Sequence, residues 1–336
     1  MPYQTGSATD PVDLLQKLAT WLNSSGWTQD RNAVEGSGWT YSGHLGGNYV
    51  HLRAASNETG PWQTSFGSAA YGLHMYMGTA FNSGNVWNAQ TTGAPIASGG
   101  SNPIGVGIPL SAGPFSNYYF FADSTGDNIV VVVEKTPGLY VHLCWGTSLI
   151  KSGSFTGGPY FTGSASGYYA SYPFAGANVP GFTSSSDCPF AAGDQIGGGT
   201  GFVRADVDSW TGKWVSIWQT PSSGSLGNTG RRGDPITPTT GFSPNPSSFP
   251  HYKTSGGSQF WDFFNLQTSA LDGRANLLPL YLWALRDGTS SGYSLLGRPP
   301  FIFFTNSIGN GFTPASEYTI GGTTYKLFPN FAVVKQ

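Results

Sequence analysis

Apolar positions along this chain follow two periods, a helical one near the N-terminus and a strand-like one after it. Between Thr9 and Asn23, Leu14, Leu15, Leu18, Trp21 and Leu22 recur at three- and four-residue spacing, which predicts one amphipathic helix. Thr9 or Asp10 can cap its start, and Pro11 fits the first helical position. Asp13 suits the positive end of the helix dipole, and Gly26 supplies a stop. A single apolar stripe means that the helix packs on one sheet face. Trp39 to Leu45 and Asn48 to Ala54 then flank Gly46–Gly47 as a predicted hairpin, and Gly72 to Thr79 reads as a third strand. The least interrupted strand signal is Asn117 to Gly163, predicted as an antiparallel meander. It runs through Tyr118–Phe121, a turn at Ser124–Asp127, Ile129 to Lys135, a turn at Pro137–Gly138, and Leu139 to Gly146. Five apolar β-branched residues in a row, Ile129 to Val133, are poor helix material and strong strand material. The meander is the expected central sheet.

Alternation assigns faces, because side chains two apart on a strand point the same way. Val50, Leu52 and Ala54, then Leu73, Met75 and Met77, then Leu139, Val141, Leu143 and Trp145 form the set expected to meet the helix. The opposite face collects Tyr49, His51 and Arg53, then His74 and Tyr76, then Tyr140, His142 and Cys144. Two strands share Tyr-Val-His-Leu, at 49–52 and 140–143, an echo too short to be a repeat.

Elsewhere the texture is looser. Phe81 to Ser116 reads as a long Gly/Ser/Asn/Pro segment, and such loops are functional or reach a neighbour. Lys151 to Thr200 is rich in Gly, Ser, Tyr, Phe and Pro. Strand character returns at Gly201 to Gln219, Leu277 to Leu285, Phe301 to Phe304, and a closing hairpin at Tyr318 to Phe328 around Gly321–Gly322. Pro221 to Ser258 reads as a linker or extended arm. The expected fold is mainly β with one N-terminal helix, an α+β arrangement. A helix-backed antiparallel meander sheet (1–150) is followed by a Gly/Pro/aromatic-rich β domain with long arms (151–336).

Several strings resemble structural proteins of tailed bacteriophages. They are Val141-His-Leu-Cys-Trp-Gly146 with Lys151 and Thr156–Gly157–Gly158–Pro159–Tyr160, and the run Tyr318-Thr-Ile-Gly-Gly-Thr-Thr-Tyr325-Lys-Leu-Phe-Pro329. The helical start followed by Gly26–Trp27, and the strand Tyr49-Val-His-Leu-Arg53, fit the same family's opening. The resemblance implies a virion protein of the tail or baseplate, made in the host cytoplasm and assembled with other virion proteins and copies of itself. It brings no catalytic residue.

Composition sharpens this picture. Charged residues are 10% of the 336, against about a quarter in ordinary domains. Glycine supplies 49 residues and aromatics 15%, an unusual combination for a cytoplasmic enzyme. So little charge suggests large surfaces buried against partners. Net charge is −2 and no basic run exceeds Arg231–Arg232, so nucleic acid is not an expected partner. No apolar run approaches membrane length, and no signal peptide is read at the N-terminus. Cys144 and Cys188 are too few for a disulfide framework, and Cys144 reads as a small buried hydrophobe.

Candidate chemistry is sparse. His51, His74 and His142 can hold a metal only if they converge on one face; otherwise each is a half-buried, hydrogen-bonded sheet residue. Asp206, Asp208 and Glu134 are the acids a glycosidase would need, but no motif places them. Gly197–Gly201 lacks the Gly-Lys-Ser/Thr ending of a phosphate loop. Neither a catalytic residue nor a cofactor is expected. Trp87, Ile104, Ile108, Trp210, Trp214, Trp218, Phe242 and Phe249 are the expected interface anchors, since aromatic residues are enriched in interfaces. The tryptophans at 210, 214 and 218 also support an alternative, a sugar-stacking shelf that would bind a host-surface glycan.

Overall fold

Local sequence decides the switch from helix to strand near the N-terminus. The computed structural model describes residues 3–58, 70–95, 103, 105–151, 158–166, 200–205, 213–217, 269–271, 275–279, 282–285, 293–305, 313–329 and 331–335. Strand β1 (Gln4–Ala8) leads into α1 (Pro11–Ser24). The Asp10 carboxylate accepts the backbone N–H groups of Val12 and Asp13 at 2.7 and 2.9 Å, satisfying donors that the first helical turn leaves unpaired. Past the end of the helix, Gly26 takes a φ of +98°, a conformation glycine reaches without steric cost. The chain continues as β2 (Thr28–Glu35), β3 (Gly38–Leu45), β4 (Asn48–Glu58), β5 (Ala70–Gly78) and β6 (Val106–Pro109). The meander follows as β7 (Phe115–Ala122), β8 (Asn128–Thr136) and β9 (Leu139–Gly146). Next come β10 (Ile150–Lys151), β11 (Tyr160–Gly163), β12 (Ala165–Ser166), β13 (Thr200–Ala205) and β14 (Lys213–Ile217). The C-terminal strands are β15 (Ser269–Leu271), β16 (Ala275–Pro279), β17 (Leu282–Leu285), β18 (Tyr293–Arg298), β19 (Ile302–Thr305), β20 (Glu317–Ile320), β21 (Thr323–Leu327) and β22 (Phe331–Lys335).

The described residues are mostly strand, and their strands pair antiparallel throughout. The middle sheet has the order β1-β7-β8-β9-β11-β13-β14, and an outer sheet has the order β12-β6-β5-β4-β3-β2. A C-terminal sheet, β15-β16-β19-β22-β21-β20, and a small one, β10-β18-β17, complete the set. The middle and outer sheets enclose the main core, with α1 wedged between them. Leu14, Leu15, Leu18, Trp21 and Leu22 meet Val50, Leu52, Leu73, Met75 and Met77 of the outer sheet there. Phe120, Val131, Val141, Leu143 and Trp145 close that core from the middle sheet, and the Trp21 and Phe120 rings lie 5.4 Å apart. Leu139 alone of the expected inward set stays outside it, half-buried at the strand's start.

A second core covers the other face of the middle sheet. Tyr119, Phe121, Val130, Val132, Tyr140 and Cys144 pack against Phe301, Ile302, Phe328, Phe331 and Val333 of the C-terminal layer. The run Ile129–Val133 therefore splits by alternation: Ile129, Val131 and Val133 enter the first core, and Val130 and Val132 the second. A strand buried on both faces has no solvated position, so its sequence reads as unbroken apolar residues. On the flank away from the helix the two sheets touch directly. A Cβ on Gly163 would come within 2.8 Å of the Gly107 carbonyl oxygen, so only glycine allows this approach.

Two expectations need correction, and two strands lie outside the predicted set. The boundary near residue 150 does not separate sheets, because β11 pairs with β9 and carries the middle sheet on through β13 and β14. Phe81 to Ser116 is not an arm in its described part. Residues 79–95 lie on the outer sheet's far face, with Trp87 only 4% exposed, and Ile108 lies inside β6. Finally, β1 and β2 carry no apolar alternation, and β2 is largely solvent-facing at a sheet edge; backbone pairing with β7 and β3 creates them. The hairpins around Gly46–Gly47 and Gly321–Gly322 form in the expected places. Pro221 to Ser258 lies outside the described residues.

Leu18→Ala should lower unfolding free energy by about 2–5 kcal/mol in denaturant titration, because it empties a fully enclosed site between two sheets. Val34→Ala, at a side chain 65% exposed on β2, should change it by less than about 0.5 kcal/mol. Equal effects would show that this helix face is not core.

Candidate functional site

Polar residues on the strands fall on the sheet faces turned away from the main core. On the outer sheet, register places Ser42 and Tyr76 beside His51, and Thr40 and His74 beside Arg53. Residues 79–95 cover this face as a strap. Tyr76 donates its hydroxyl to the Trp87 carbonyl, and both backbone and side chains hold the strap elsewhere. Glu35 is the hub. Its carboxylate accepts the Trp87 N–H at 3.1 Å to each oxygen and an Arg53 N–H at 3.3 Å, and Arg31 lies 3.5 Å away. Arg31 also donates to the Ser83 carbonyl at 2.9 Å and sits 5.0 Å over the Phe81 ring. Within the strap, Gln90 donates to the carbonyls of Asn82 and Asn85 and accepts the Asn82 N–H.

The two histidines beneath are sealed in aromatic surroundings. His51 packs 5.0 Å from Tyr76 and shares a 3.0 Å hydrogen bond with Ser42 through Nδ1, while His74 meets Trp87 edge-on at 5.9 Å. Burial pushes His51 down to about 3, and Arg31 pushes the same way. Burial, with Arg53 alongside, also holds His74 well below its ordinary value. Both are neutral at physiological pH.

A second polar row crosses the far face of the middle sheet. His142 shares Nδ1 with the Ser164 hydroxyl at 3.2 Å, Cys144 pairs across with Thr162, and Tyr160 donates to Asn128 Oδ1 at 2.8 Å. Asn128 in turn donates to Asp123, whose other oxygen accepts the Thr125 hydroxyl and the Asp127 N–H, both at 2.9 Å. This chain fastens the β7–β8 turn to β11. Cys144 is a free thiol, and burial pushes its pKa well above the ordinary value, which suppresses the reactive thiolate.

The histidines therefore do not converge. His51 and His74 face outward from one sheet and His142 from the other, with the main core between them. Among the described residues, no group of three metal-ligating side chains comes together. Glu134 braces its own hairpin, accepting the Asn117 amide at 2.6 Å and the Gly138 N–H at 2.9 Å. Asp206 and Asp208 lie outside the described residues.

The expected interface anchors divide likewise. Trp87, Ile108 and Trp214 are buried in the chain's own core and are not surface anchors. Trp214 donates its indole N–H to the Gly93 carbonyl at 2.7 Å and packs on Phe161, which removes the middle member of the expected sugar shelf. Ile104, Trp210, Trp218, Phe242 and Phe249 lie outside the described residues. Glu35 was missed because it sits in a polar edge strand, 52 residues before the backbone group it holds. Among the described residues, no helix is long and apolar enough to cross a membrane. No protein-family model matches the chain, and no curated protein matches it.

Glu35→Ala should raise amide hydrogen exchange across residues 79–95 and cost about 2 kcal/mol, since it strips a charged acceptor from a buried guanidinium. Strap exchange that stays at the wild-type rate would remove Glu35 from this role. The histidines set a pH dependence. Their folded pKa values lie below the unfolded 6.5, so only the unfolded chain takes up protons as pH falls below 6.5. Stability should be full above pH 6.5 and fall by roughly 1 kcal/mol per pH unit for each histidine on the way toward 3. Denaturant titrations between pH 6.5 and 5, where carboxylates stay ionised, check this; equal stability at both ends would refute it.

Proposed function

We propose that the protein is a non-enzymatic structural component of a tailed-phage virion, of its tail or baseplate, present in several symmetric copies. The observation that carries the reading is where the scarce charge goes. Of only 15 basic and 17 acidic residues, Asp13, Lys17, Arg31, Glu35, Arg53, Glu317, Lys326 and Lys335 are tied into ion pairs within the chain. A surface left weakly charged repels copies of itself little and suits burial against neighbouring subunits.

The rest of the body is consistent with that role. Three stacked β layers give a rigid unit, and the buried polar rows work as fastenings rather than as an open pocket. Binding rather than chemistry is then the mechanism, with other virion proteins and copies of the chain as partners.

A mass-spectrometric inventory of purified particles tests the reading. The protein should be present at a copy number matching the symmetry of one substructure. Its absence from washed particles, with the protein remaining in the lysate, would overturn the proposal.

A further inference from the structure

The C-terminal layer is attached to the middle sheet through an aromatic contact. Phe328 lies 5.6 Å from Tyr119, 5.5 Å from Tyr140 and 4.9 Å from Phe331. His142 sits beside this contact, 1% exposed, with its ring edge-on to Phe331 at 5.4 Å. Ser164 engages Nδ1, and Nε2 has no hydrogen-bond partner among the described residues. Among the described residues, the backbone pairing of the middle sheet and of the C-terminal sheet runs within each sheet, and the β10–β18 pair, Ile150 with Arg298 and Lys151 with Gly297, ties the neighbouring segments.

We propose that His142 makes the contact between the middle sheet and the C-terminal layer acid-labile, so that protonation releases the layer ahead of global unfolding. The charged and titratable groups packed around it offer no counter-charge. Its own strand contributes the Cys144 thiol and the Tyr140 phenol, and β7 contributes Tyr119. Glu134 on β8 is committed to Asn117, Gly138 and Tyr140. From the C-terminal sheet, Lys326 and Lys335 both bind Glu317. Two more aromatic contacts span the layers, Lys335 over Tyr3 at 4.6 Å and Lys326 over Tyr119 at 5.1 Å. An imidazolium formed in place would thus be buried against Phe331 without compensation.

Opening lets water reach Nε2, and it bares Tyr119, Phe121 and Val130 on one side and Phe301, Phe328 and Phe331 on the other. Burial holds His142 down at about 3 in the closed state, so acid favours the open one. The ratio of open to closed should rise up to tenfold for each pH unit below 6.5.

Hydrogen-exchange mass spectrometry on the full chain at pH 7.4 and 5.0, read as protection factors, tests this. Peptides spanning β19, β21 and β22 should lose at least tenfold more protection at pH 5.0 than α1, whose smaller loss follows global stability. In His142→Phe and His142→Gln the excess acid loss over α1 should disappear. C2-hydrogen exchange of the His142 imidazole in the wild type gives a reading that needs no variant, and it should titrate together with release of the layer. Protection that is equal at both pH values would overturn the proposal. So would an excess loss that persists in either variant, or a loss in α1 as large as that of the C-terminal strands.

Discussion

Burial of the middle sheet on both faces is the constraint on which the rest depends. One face meets the helix and the outer sheet, the other meets the C-terminal layer. A strand in that position exposes nothing, so both coverings must be present before its apolar surface leaves water. At about 25 cal/mol for each Å² removed, two such faces dominate the favourable side of folding. The layers are therefore thermodynamically linked: loosening either one re-exposes residues one step apart on the same strand, Val130 beside Val131. Continuity of β9 with β11 and β13 extends this coupling past residue 150 and makes the body one stacked unit.

Polar side chains follow from the same geometry. Alternation sends every second residue to the far face of its sheet, where burial without a partner is costly. The outer sheet resolves this with a strap whose backbone N–H and carbonyl groups are matched to Glu35, Tyr76 and Arg31. The middle sheet resolves it with Ser164, Asn128 and Asp123. Neutral histidine is useful in both places, since it fills an aromatic-sized space and still makes one hydrogen bond. That usefulness ends where imidazole becomes charged, which ties the stability of the coverings to acidity.

Scarcity of charge links the fold to the proposed role. Where Arg53 and Glu35 meet, the pair is partly desolvated and fixes the strap's position. Glu317, held below the usual carboxylate range by Lys335 and Lys326, pins the last strands together in the same way. One pair is largely enclosed and the other lies at the surface, and both fix how neighbouring strands meet.

Much of this was written in the local pattern. The 3.6-residue spacing of Leu14, Leu18, Trp21 and Leu22 defines the helix and its buried face, because only those positions line up on one side. Glycine pairs mark the hairpins, and the Ile129–Val133 run marks a strand without a wet face. What local pattern leaves undecided is which elements meet. Whether His51, His74 and His142 converge depends on how two sheets stack, and stacking turned them to opposite sides. Trp87, Ile108 and Trp214 read equally well as interface or core, since apolar area carries no label for what will cover it. Edge strands β1 and β2 are defined by backbone pairing, which every residue except proline offers alike. Alternation along a strand is local chemistry, but the choice of covering layer is made only by the assembled core.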